Sequence, residues 1–184
     1  MTMRVTACLL ALCLTIAPAH AQPQTPVQCQ EAPPLPEPWT SWMQSGRAIA
    51  GGEAASAPRL ILGKPSVATL RPMSQVQFAA PPARKEGKGY GGLFSLSVKV
   101  PARIGIGLSE PAWVDLVTER TVQSSVDHGQ GPECSSIAKI LWFDLSPGLH
   151  IIQIANASAR AIRIMAADAQ ANQPLAQTDA NHHK

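Results

Sequence analysis

From about residue 59 the chain alternates apolar and polar side chains with a period of two. Phe94, Leu96, Val98 and Val100 alternate with Ser95, Ser97 and Lys99, the signature of a strand with one buried face. Ile104, Ile106 and Leu108 alternate with Gly105 and Gly107, where the missing side chains permit close packing or a bulge. Residues 112–118 put Trp113, Asp115 and Val117 on one side and Val114 and Leu116 on the other. Residues 66–70, 75–78, 121–126, 149–155 and 161–167 read as further strands, and 137–145 is apolar on both faces, as a central strand is. Pro81-Pro82, Pro101, Glu110-Pro111 and Ser146-Pro147-Gly148 punctuate them as turns. Residues 127–134 and the Gly-rich 87–92 read as loops. No amphipathic helix separates the strands. The expected fold is all-β, an antiparallel, jelly-roll-like β-sandwich of about eight strands over 59–167.

The N-terminal region has a different pattern. Arg4, the apolar run 7–17 and the Ala19-His20-Ala21 site follow one another in the order of a cleavable signal peptide over 1–21. The run falls short of the roughly 20 residues a membrane span needs, and Cys13 lies inside it rather than at a lipoprotein cleavage point. A periplasmic or secreted destination follows. Residues 22–58 form a Pro-rich arm or linker. In it Trp39 and Trp42, three apart, fit one face of a helical turn that anchors the arm to the domain. Residues 168–184 read as a polar, disordered tail.

Charge excludes one class of partner. Removal of 1–21 takes away Arg4 alone of the fifteen Lys and Arg, leaving fourteen against twelve acidic residues, a net of +2. No basic cluster marks any segment, which argues against nucleic acid. Cys8 and Cys13 leave with the signal, and Cys29 and Cys134 remain. Two cysteines in an oxidising compartment form a disulfide. A loop this long stabilises toward the upper end of ~2–5 kcal/mol.

Candidate chemistry is sparse. Asp127, His128 and Glu133, with glycines at 129 and 131, are the side chains that could converge on a metal ion, with His128 as its centre. They follow no recognised metal-ligand spacing, so a tethered loop with a solvated histidine is the simpler reading. His150 reads as a partly buried strand residue, and His182 and His183 as incidental. Ser135 and Ser136 lack a nucleophile elbow. Gly87–Gly92 precedes a strand, so no helix N-terminus awaits a phosphate. Trp113 and Asp115, sharing a strand face, join Asp127, His128 and Glu133 as a candidate binding edge. Of the tryptophans, Trp39, Trp42, Trp113 and Trp142, at least two are expected in the core.

Residues 87–167 carry a resemblance, in Gly89–Leu96, Ala112–Val117, His128-Gly129, Phe143–Gly148 and Ile151–Ile154. The stretch resembles bacterial pre-peptidase C-terminal (PPC-like) domains, small exported β-sandwiches that accompany secreted enzymes as targeting or binding modules. It is also similar to short exported proteins labelled homogentisate 1,2-dioxygenase. That label implies a non-haem iron centre with two His and a carboxylate. No His-x-x-x-x-x-Glu-x-x-x-x-x-His pattern is present, so no catalytic residue carries over.

The sequence therefore points to an exported, non-catalytic β-sandwich that binds a protein or small ligand without a cofactor. The alternative is a metal-dependent enzyme or metal carrier centred on His128, with a divalent ion as cofactor.

Overall fold

A computed structural model describes Cys29 and residues 34–44, 46–83 and 88–170. The signal over 1–21, the start of the arm, residues 84–87, and the tail from 171 with His182 and His183 lie outside the described residues.

Eleven strands are described: β1 (Arg47–Ile49), β2 (Ser66–Thr69), β3 (Arg71–Pro72), β4 (Tyr90–Val98), β5 (Ala102–Leu108), β6 (Trp113–Thr118), β7 (Thr121–Gln123), β8 (Asp127–Gly129), β9 (Lys139–Leu145), β10 (Gly148–Ala157) and β11 (Ala161–Asp168). They form a six-stranded sheet, β1-β2-β11-β5-β9-β8, and a five-stranded sheet, β3-β4-β10-β6-β7. Every ladder is antiparallel except β1 on β2. The fold is the expected all-β sandwich.

Period-two alternation builds the interior. Ile104, Ile106, Leu108, Leu141, Phe143, Ile162 and Ile164 of the larger sheet meet Phe94, Leu96, Val114, Leu116, Ile152 and Ile154 of the smaller in one buried cluster. Each buried side chain of this size contributes about 1.5–3 kcal/mol relative to exposure. His150 lies on the same face as Ile152 and is buried. Its Nε2 is 3.0 Å from the Ser146 carbonyl oxygen and its Nδ1 2.7 Å from Thr118 Oγ1. A carbonyl only accepts, so Nε2 carries the proton and, in the neutral ring, Nδ1 accepts from the threonine.

The outer face of the larger sheet carries a second core. Trp39, Trp42, Ile137, Ile140, Met165 and Ala167 cluster there, with Leu35 and Trp142 against them. This is why 137–145 reads apolar on both faces. Trp39 stands edge-on to Trp42 at 6.4 Å and to Trp142 at 5.9 Å. The Trp42 indole N–H donates to Ser136 Oγ (3.1 Å), and the Arg163 guanidinium lies over its ring while donating to the Trp42 and Gln44 carbonyls. Residues 35–44 and 46–49 are thus built into the folded unit, and β1 adds a strand to its sheet. Cys29 and Cys134 are both disulfide-bonded.

Gly105 and Gly107 leave room for these rings. A Cβ at Gly107 would lie 2.7 Å from Trp39 Cζ3, and one at Gly105 2.7 Å from Trp142 Cζ3. Ring carbons at that distance must move, so Gly107→Ala is expected to lower stability by about 1–3 kcal/mol through overpacking. Denaturant unfolding reads this directly. An unchanged midpoint would show that Trp39 shifts without cost.

Three expectations need correction. Residues 75–78 form no strand: Met73–Gln75 is a 3-10 turn, and the chain after it is not laddered. Its alternation reflects a segment lying over a sheet rather than one hydrogen-bonded into it. Tyr90-Gly91-Gly92 is not a loop but the start of β4, with Gly92 paired to Ile154. Residues 127–134 are not all loop either. Asp127–Gly129 is β8, an edge strand paired to Trp142, Leu141 and Ile140 of β9. All three β8 residues are exposed, so backbone pairing with β9, rather than side-chain burial, makes them a strand.

Next to the Gly105–Trp142 pair, the adjoining outward pair on β5 and β9, Arg103 and Asp144, is an ion pair. Asp144 accepts from Arg103 Nε at 2.7 Å and Nη2 at 3.1 Å, and this hydrogen bond holds its carboxyl below the ordinary value. A depressed carboxylate contributes stability above its unfolded pKa, near 3.9, and the contribution is lost as pH falls through the folded value. Both side chains are exposed, so the effect is small and salt-screened. Arg103→Gln is expected to flatten slightly the acid limb of a plot of Tm against pH, below about pH 4. The same limb in both proteins would contradict it.

Candidate functional site

The structure separates the five candidate residues into two groups. Asp127 and His128 lie on β8 of the larger sheet, and Glu133 is in the following turn, all exposed. Asp127 Oδ1 accepts from the His128 backbone N–H at 2.7 Å, which turns that carboxylate onto its own backbone. Among the described residues no group of three His, Cys, Asp or Glu side chains is arranged to hold a metal ion. This weighs against a metal centre at His128.

Trp113 and Asp115 belong to the smaller sheet and do meet. They sit two apart on β6, so both project from its outer face. Asp115 is 4% exposed, and a buried carboxylate needs donors. It has them: Trp113 Nε1 donates to Oδ1 at 2.8 Å, and Gln153 Nε2 donates to Oδ2 at 3.1 Å. Gln153 lies directly across the ladder from Asp115. Its amide also brackets Ala80, accepting from the Ala80 N–H at 3.2 Å and donating to the Ala80 carbonyl at 3.0 Å. One carboxylate thereby fixes an indole, a glutamine and the covering segment around Ala80.

Beside this network the sandwich is open. Strand β7 pairs only with Leu116–Thr118 of β6, leaving the Trp113–Asp115 edge without a ladder partner on that side among the described residues. A cleft of about 310 Å³ enters there, lined by Trp113, Val114 and Asp115, by Val122–Ser125, and by Lys139, Leu141 and Phe143 of the other sheet. Lys139 Nζ donates to the Ala112 carbonyl at 3.1 Å and lies 5.8 Å from the centre of the Trp113 ring. Burial pushes its ammonium below the ordinary lysine value. The cleft combines an apolar floor with a few fixed polar groups, the usual composition of a small-molecule site.

Compared with known protein families and with curated proteins, the chain matches none.

Lys139 and Gln153 do not stand out as site residues in the sequence. Each has a local signal, since Lys139 opens the apolar run 139–145 and Gln153 interrupts the apolar run 151–155. A lone polar residue in such a run needs a buried partner. The sequence does not say which partner, because Lys139 and Trp113 stand on different sheets.

Proposed function

We propose that this chain is an exported β-sandwich binding module whose ligand seat is the cleft between β6 and β9. The observation that carries the reading is the buried Asp115 network holding Trp113 rigidly at the mouth of a cleft floored by Leu141 and Phe143. A preorganised aromatic wall lowers the ordering cost of binding. The resemblance of residues 87–167 to PPC-like modules and the signal-like N-terminus support the same reading. Asp127, His128 and Glu133 are exposed, and no metal-holding group is arranged among the described residues, which favours it over a metal-centred enzyme.

A fragment screen by protein NMR tests the proposal, using a mixed set of small aliphatic and aromatic acids, amides and amines. Hits are expected to shift the Trp113 indole N–H resonance, identified by its loss in Trp113→Phe. Hits confined to other surfaces, or none at all, would overturn the cleft as the seat. Stoichiometric metal in the purified protein, lost in His128→Ala, would restore the metal reading.

A further inference from the structure

We propose that the cleft takes a small amphipathic organic anion, its carboxylate on Lys139 and its apolar body against Trp113 and Val122. This rests on the binding-module reading and adds the ligand's chemistry. Of the two charges in the cleft, only one remains available to a ligand. Asp115 is 4% exposed, and each of its oxygens already accepts a hydrogen bond. It offers little to an incoming cation.

Lys139 is the opposite case. An ammonium has three donors, and Lys139 donates to the Ala112 carbonyl. Among the described residues the only ion pair is Arg103–Asp144, so no described carboxylate lies within 4.0 Å of Lys139. It is nevertheless half-buried, against the Trp113 ring. A partly desolvated cation with no counter-ion among the described residues is stabilised by an anion that enters beside it. The lowered lysine pKa is the same desolvation seen from the proton's side. The hydroxyl-bearing residues Ser124 and Ser125 line the same mouth and are exposed, so they supply donors for a second carboxylate oxygen. The Trp113 ring and the exposed Val122 supply apolar area, with the buried Leu141 and Phe143 behind them, and a cleft of about 310 Å³ is at the small end for a ligand site.

Hexanoate, hexanamide and hexylammonium share one apolar body and differ in the head group. Titrated into the folded protein and read at the Trp113 indole N–H, hexanoate is expected to bind at least tenfold more tightly than the other two. Lys139→Met keeps an unbranched stem against Trp113 and is expected to abolish that preference. Lys139→Arg keeps the positive charge and is expected to retain it. Equal or tighter binding of the amide or the amine at the cleft would overturn the anion assignment while leaving the cleft a binding site. A preference for hexanoate that survives Lys139→Met would also overturn it. No indole shift with any of the three ends the inference, and the mixed fragment screen then decides separately whether the cleft binds anything.

Discussion

Trp42→Ala is expected to destabilise the protein by about 3–5 kcal/mol, the range for truncating a fully buried aromatic side chain. Trp42 has no exposed surface, and its loss removes more than volume. Ser136 Oγ loses its indole donor, the Arg163 guanidinium loses the ring beneath it, and Trp39 loses an edge-to-face neighbour. A domain of this size is usually stable by only about 5–15 kcal/mol, so the variant sits near the threshold for folding. Denaturant unfolding should show one transition at a lower midpoint. His128→Ala is the matched control, because an exposed side chain on an edge strand should change stability by no more than about 0.5 kcal/mol. A small effect at Trp42 would mean that residues 35–44 lie on the sandwich without being part of it. In that case the arm would be a linker after all.

Asp115→Ala is expected to cost about 2–4 kcal/mol, since one buried and one half-buried donor lose their acceptor at roughly 1–3 kcal/mol each and some of that loss is recovered by water or rearrangement. The donors are Trp113 Nε1 and Gln153 Nε2. Asp115→Asn separates charge from shape. The amide oxygen still accepts from one donor, but the amide nitrogen faces the other donor, so the smaller loss should leave a folded protein with a mobile Trp113. The Trp113 indole resonance should then broaden or move without any ligand present. If Asp115→Ala is as stable as wild type, the carboxylate is not the fixed point of the network, and the preorganisation argued for the cleft loses its basis.

The two halves of this picture were unequally legible. Strand β5 could be read directly, because Ile104, Ile106 and Leu108 face one core while Gly105 and Gly107 face the other way. The glycines announced a close approach, yet nothing local said that Trp39 and Trp142 make it. Strand β9 read as central for the right reason, with both of its faces covered, though the cover on one side comes from residues 35–42 and not from a second sheet. The short strands β1, β3 and β8 were missed. Two or three residues carry no measurable period, and such strands exist because a longer neighbour offers unpaired backbone groups.

Residues 75–78 mislead in the opposite direction. Alternation records which side chains face an apolar surface, and it is the same whether the segment is laddered into a sheet or laid across one. The candidate site divides along this line. Trp113 and Asp115 were visible together because they share one strand face. Asp127, His128 and Glu133 looked convergent only because they are close in sequence.

The sequence by itself determined the all-β class, the two-faced burial of β9 and the shared strand face of Trp113 and Asp115. Those features depend on neighbours two to eight residues apart, over which strand geometry is fixed. Only the tertiary structure decided that Lys139 stands beside Trp113, that Gln153 brackets Ala80, and that the outer face of the larger sheet is closed by Trp39 and Trp42. These contacts join segments tens of residues apart, and their placement follows from how the sheets order their strands, not from any local preference of the chain.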